Sequence, residues 1–319
     1  MTSNVTVVSG RQDSRSASHR RKERASLVKG LLFSSPFWIG FIALTALPML
    51  ASMYLSLTHY DALTAPTFRG LGNYIDLLDD PALVRATRNT VIYAVLSIPI
   101  NTMLGLLVAI LLNQKVRALS LWRLIYYLPA VVPVTAYALL WKWMLNQEYG
   151  VINYVLGLVG IPAINWLGDE KWMLVAYVLS GLWTVGGAMI INLAGLQSIP
   201  TELSDAARVD GAGRLRRFWS VTLPMMSPVL FYNVIMGIVG AMQSFAFFFV
   251  LTQGWGNVSY TETGTVYMVH LWRVGFQLFR MGYASAMAWV LFFIVMGLTI
   301  LVWRISMRWV YYESEWLTG

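Results

Sequence analysis

Long apolar runs alternate with shorter polar segments along this chain. Six runs stand out, at residues 31–57, 90–113, 122–145, 172–194, 225–251 and 284–305. Each reaches the roughly 20 residues that a helix needs to cross a bilayer. Aromatic residues crowd their ends: Trp122, Tyr126 and Tyr127, Trp141 and Trp143, Trp166 and Trp172, Trp303 and Trp309. Trp and Tyr favour the headgroup level, so these rings mark where the spans meet water. Pro99, Pro129 and Pro133 fall inside runs, which is tolerated where neighbouring helices re-satisfy the backbone groups they free. Pro48 is expected to kink the first span. The pattern predicts an all-α polytopic membrane protein with six transmembrane helices and the lipid bilayer as its solvent.

The polar segments divide the chain further. Residues 1–30 are rich in Ser and Arg and lack hydrophobic periodicity, so they read as a disordered basic cytoplasmic tail. The apolar run that follows is too long for a signal-peptide core. Residues 31–312 form one transmembrane domain, and 313–319 form a short C-terminal tail. Segment 58–89 carries turn signals and a short amphipathic piece near Tyr74–Leu78; segment 146–171 reads as a short helix over 151–159 and a turn. The most polar internal segment is 201–224, with Arg208, Arg214, Arg216 and Arg217 set against Glu202, Asp205 and Asp210. It reads as two short helices: one capped by Thr201 and ended by Gly211, the other stopped by Leu223-Pro224.

Charge orients the spans. Of the 23 basic residues, 16 fall on the side that carries both termini and segment 201–224. Lys and Arg are retained on the cytoplasmic face, so both termini and that loop are expected there. The net charge of +8 is then a topology signal, with no nucleic-acid partner.

Several chemistries are absent. The chain has no cysteine, which removes thiolate catalysis and Cys-based metal sites. It has no phosphate-binding G-x-x-x-x-G-K-[ST] loop and no G-x-S-x-G. His19, His59 and His270 lie far apart, with His270 read as solvated or interfacial, so no metal or other cofactor is expected. A membrane enzyme would need an acid, His or Cys cluster that is missing. An ion-coupled carrier would show charges inside its spans. Here the spans offer Asn101, Asn192, Asn233, Gln243, Ser244 and a few Thr. That points to energy supplied from outside the membrane and to a neutral, hydroxylated cargo.

Asp205-Ala206-Ala207, then Gly211 after three residues, Val221 after nine more and Leu223-Pro224 after another resemble the EAA loop of ABC importer permeases. Asp205 stands for the usual Glu and Val221 for Ile. The motifs Tyr127-Leu128-Pro129-Ala130, Trp141-Lys142-Trp143, Gly150-Val151-Ile152-Asn153, Asn165-Trp166-Leu167, Leu196-Gln197-Ser198-Ile199-Pro200 and Gly282-Tyr283-Ala284-Ser285-Ala286 look like the carbohydrate-uptake branch (maltose and glycerol-phosphate type). Gly254-Trp255-Gly256 departs from the Gly-Gly-Pro that often follows the fifth span there.

That resemblance implies a type I importer permease fold in a bacterial inner membrane, acting as a transport subunit and not an enzyme. It implies a second, usually different, permease subunit, two copies of a cytoplasmic ABC ATPase, an extracytoplasmic solute-binding protein and a sugar as cargo. A same-family permease for glycerol phosphate or another polar solute is the alternative, with an ATP-independent secondary transporter behind it. Asp205, Ala206, Ala207, Asp210, Gly211, Leu223 and Pro224 would couple the chain to the ATPase. Asn192, Asn233 and Gln243 are the candidate pathway amides, with Trp183 and Phe245 as stacking surfaces for sugar rings.

Overall fold

The structure is a computed structural model that describes residues 29–114, 117–252, 264–307 and 310. The tail expected over 1–30 (Lys29 and Gly30 apart), Gly254-Trp255-Gly256 and the tail at 313–319 lie outside the described residues.

The first span is α1, Lys29–Ser56. A hairpin of β1 (Thr58–His59) and β2 (Thr67–Phe68), antiparallel with Thr58 opposite Phe68, leads to α2, Gly72–Leu78. The second span, α3, runs over Pro81–Leu112 and starts nine residues before the expected boundary. The local signals explain the early start. Asp80 accepts hydrogen bonds from the N–H groups of Ala82 and Leu83 at 2.9 and 3.2 Å, and Pro81 occupies the first helical position.

Three expected spans are broken. The third is α4, Leu119–Val131, and α5, Val134–Met144, which meet at 94°. Pro133 stands in the break; it cannot donate to the helical ladder and pushes Val132 into an extended conformation. The fourth is α7, Glu170–Leu182, and α8, Gly186–Ser198, bent by 48°. Between the third and fourth lies α6, Val151–Leu158, close to the short helix expected there. The loop helix α9 is Thr201–Val209. Its N-cap is Pro200 and not Thr201, because the helix begins one residue earlier than the hydroxyl suggests, and no side chain caps it.

The next helix, α10, runs without interruption over Arg214–Gln243. Leu223-Pro224 therefore does not stop it. The turn Phe218–Thr222 just before is a wide π turn, and it contains Ser220, whose carbonyl the Pro224 ring would otherwise strike. The same device serves Pro48: π turn Ile42–Ala46 holds Leu44, four residues back, in place of a simple kink. The fifth span then breaks at Ser244-Phe245 before α11, Ala246–Thr252. Helix α12, Tyr267–Trp272, precedes the last span, α13, Met281–Ser306.

Among the described residues, four helices are long and apolar enough to cross a membrane alone, and six spans result if each bent pair counts as one. Contacts between distant residues argue that both pairs traverse the bundle. At one end, Arg88 pairs with Glu170 at 3.1 Å, Asn89 donates to the Thr265 carbonyl at 3.1 Å, and the Tyr283 hydroxyl donates to Asp80 at 2.7 Å. At the other end, Leu112, Leu196 and Met226 form a buried cluster packed by Leu119, Ile199 and Phe218. Residues 119 and 170 thus sit at opposite ends, as do 170 and 196.

His270 is buried, against expectation, with Nε2 3.7 Å from an Asp80 oxygen. The reason is that α12 packs on the hairpin-end turns of α3. Burial pushes the Asp80 carboxyl up, but the bonds from Tyr283, Leu83 and Ala82, with His270 beside them, leave it below the usual Asp value.

Candidate functional site

Helix α3 lies at the centre of the bundle, against α7, α8 and α10. Its approach to α8 is close: a methyl added at Gly105 would stand 2.8 Å from the Ala188 Cβ. Beside this contact a cavity of about 410 Å³ opens between the spans. Its polar lining includes Tyr93, Ser97 and Asn101 from α3, Thr184 from the α7–α8 break, Asn233 from α10 and Ser244 from the fifth-span break. Among the described residues, no charged side chain lines it. Two of the three span breaks therefore face this space. Irregular backbone at membrane depth is tolerated where it lines a cavity or is buried in protein.

Local hydrogen bonds set the lining. Asn101 Nδ2 donates to the Ser97 carbonyl at 3.0 Å, and Thr184 Oγ1 donates to the Gly181 carbonyl at 2.9 Å. Asn233 Nδ2 donates to Asn192 Oδ1 at 2.8 Å. Asn192 is fully buried behind it, and its own Nδ2 has no hydrogen-bond partner among the described residues. A buried N–H left so costs about 1–3 kcal/mol.

The structure separates the five pathway candidates. Asn192 and Asn233 come together at the cavity wall. Gln243 is exposed and does not line the cavity, although Ser244 next to it does. Trp183 packs on Tyr137 and Trp141, with ring centroids 5.9 and 6.1 Å away. Phe245 packs on Phe249 and Trp272 at 5.0 and 6.0 Å. Tyr93, Ser97 and Asn101, which are not among the five candidates, carry a readable signal. They recur every four residues in an apolar span, which places them on one helix face.

The second candidate site is α9 and the turn after it. Gly211 takes φ +76°, a conformation that side chains with a Cβ rarely adopt. The Gly211 and Ala212 N–H groups donate to the Arg208 and Ala207 carbonyls at 3.0 and 2.9 Å, closing the helix end. Asp205 and Ala206 are exposed, and an Asp205 oxygen lies 3.5 Å from Arg208. Ala207 is half-buried, on the side of Ser204. Asp210 and Pro224 are exposed, while Leu223 packs against the buried cluster of Leu196 and Met226. Val209 is 88% exposed and Leu215 72%, so the loop presents apolar side chains beside its charges.

A cavity flanked by broken spans thus lies among the helices, with an exposed polar loop at one end of the bundle. The family model described as "Binding-protein-dependent transport system inner membrane component" matches residues 101–312, about two thirds of the chain. The chain belongs to this family. The permease is 36% identical over 298 residues to the probable ABC transporter permease protein YesP of Bacillus subtilis, covering 92% of this chain and 96% of that one. It is 31% identical over 280 residues to the trehalose/maltose transport system permease protein MalF of Thermococcus litoralis, covering 87% and 93%. Its fold matches a chain in the crystal structure of a bacterial alginate ABC transporter in complex with an alginate pentasaccharide-bound periplasmic protein. That match has a TM-score of 0.77 at 23% identity and covers 91% of this chain and 96% of that one. The permease is a multi-pass membrane transport subunit.

Proposed function

We propose that this permease carries a neutral mono- or oligosaccharide across the cytoplasmic membrane as one half of a binding-protein-dependent ABC importer. A second, similar permease subunit completes the pathway. An extracytoplasmic binding protein delivers the sugar, and two copies of a separate ABC ATPase grip the cytoplasmic loops. Both termini and α9 face the cytoplasm, as the distribution of basic residues favours. Asp205, Ala206 and Gly211 make the coupling contact, with Ala207, Asp210, Leu223 and Pro224 shaping it. ATP-driven closure of the ATPases pushes α9, and α10 carries that movement to the cavity.

The observation that carries the reading is the cavity lining. Its hydroxyl and amide groups suit the hydroxyls of a sugar, and the lack of charge among its described lining residues disfavours an anion such as glycerol phosphate. The trehalose/maltose relative and the alginate importer place similar chains in carbohydrate systems. The test is competition for binding-protein-dependent uptake by the complete transporter. Trehalose, maltose or another neutral sugar is expected to compete, and glycerol 3-phosphate and alginate oligosaccharides are not. Competition by the anions alone would overturn the neutral-sugar assignment.

A further inference from the structure

Two helices meet at the loop through a short connection, Asp210 to Gly213, that contains two glycines. Such a joint is soft, because glycine has the widest backbone freedom. A push on α9 would be absorbed by bending there unless something else held the two helices. The backbone bonds that close the turn lie at the joint itself, from Gly211 to Arg208 and from Ala212 to Ala207. A side-chain bond between the helices lies further out: Arg217 Nη1 donates to Ser204 Oγ at 3.2 Å.

The geometry points to Arg217 as a positioning residue for energy coupling: with Ser204 it forms a strut that fixes α9 against α10. The proposal rests on the reading of α9 as the handle. Ser204 lies seven residues before Gly211 and Arg217 six after it. Counted along the helices from the edges of the joint, Asp210 and Gly213, a rise of about 1.5 Å per residue sets the two ends of the strut roughly 9 and 6 Å out. That offset is what allows a bond to resist bending. Ser204 and Ala207 are the half-buried positions of α9, so the strut sits on its inner face and leaves Asp205 and Ala206 exposed. Arg217 is half-buried, and its Nε is buried without a hydrogen-bond partner among the described residues. Cationic hydrogen bonds are stronger than neutral ones, and the planar fork of Arg holds its direction. Beyond the strut, Phe218 packs against the cluster of Leu196 and Met226. The path from α9 to the core thus runs through two neighbouring residues.

The test uses the complete transporter, assembled with its ATPase and binding protein, and the absence of cysteine from the chain. Ser244→Cys supplies a reporter in the cavity wall. The probe is N-ethylmaleimide, and the readout is the change in its labelling rate when ATP and vanadate are added. Arg217→Met keeps the packed stem and loses the donor. It is expected to retain assembly and basal ATP hydrolysis while the ATP-driven change in labelling shrinks about tenfold, the scale of one hydrogen bond to a charged group. Ser204→Ala should match it, the two together should be no worse than either, and Arg217→Lys should recover most of the response. If Arg217→Met fails to assemble, the pair Ser204→Cys with Arg217→Cys decides: a thiol cross-linker of matching length restores coupling if the strut is real. An unchanged response in Arg217→Met, or additive losses in the double variant, or no restoration by the cross-linker, overturns the strut. Gly211→Val separates the two readings. If it uncouples while Arg217→Met does not, only the strut fails; if it too leaves coupling intact, the handle itself is wrong.

Discussion

Asn101 and Gln243 are both amides in apolar helices, yet one lines the cavity and the other is exposed beside it. Helix phase makes the difference. The face of α3 is set by its long uninterrupted run, so Tyr93, Ser97 and Asn101 share one side. Gln243 is the last residue of α10, and the chain turns into an extended conformation at Ser244. That turn brings Ser244 to the cavity and directs Gln243 elsewhere. We therefore expect Asn101→Ala to weaken sugar transport about fivefold in apparent affinity, the scale of one neutral hydrogen bond. Gln243→Ala should stay within about twofold, since a surface side chain away from partners contributes little. The concentration dependence of labelled-sugar uptake by the two variants measures this. Polarity inside the spans was legible from sequence, but which amide faces the cavity depends on a break that neither proline nor glycine announces at Ser244-Phe245.

Helix boundaries show the same division among elements. Asp80-Pro81 is a strong start signal, and the structure uses it, although hydropathy alone places the start of the second span later. Proline, by contrast, acts in two ways that the sequence does not separate. Pro133 breaks its span by 94°, while Pro224 is absorbed by the π turn before it. The difference lies in what surrounds the ring, a tertiary property. Gly211 is the element whose role the sequence states most clearly: it ends α9 with φ +76°. A Cβ there meets nothing within 4 Å, so any effect of substitution comes from the backbone and not from a clash. A left-handed residue other than glycine costs roughly 1–2 kcal/mol, more if β-branched. Gly211→Val is expected to leave the chain in the membrane but reduce uptake and substrate-stimulated ATP hydrolysis at least about tenfold, while Gly211→Asn, which tolerates this conformation, should retain most of both. Uptake and ATPase assays on the reconstituted transporter compare them directly.

The broken spans leave the whole molecule with a question that hydropathy cannot answer. A pair of helices meeting at 94° could dip into the bilayer and return, or it could cross. The contacts argue for crossing. Glu170 stands beside Arg88 at the hairpin end, whereas Leu119 packs with Leu112 and Leu196 at the loop end. The chain must pass from one end to the other between residues 119 and 170, and α4 with α5 is the apolar stretch available for it. The basic residues agree, since Arg208, Arg214, Arg216 and Arg217 cluster at the loop end. The two topologies place α6 on opposite sides. If α4–α5 crosses, Tyr154 and Val209 face opposite compartments; if the pair returns, they share one. Both side chains are well exposed, and the chain contains no cysteine to interfere. Val209→Cys is expected to react with a membrane-impermeant maleimide only in inside-out vesicles, and Tyr154→Cys only in intact spheroplasts. Reaction of both from the cytoplasmic side would make α4–α5 re-entrant and move the surface of α6, with its exposed Tyr154 and Leu158, to the ATPase side of the membrane.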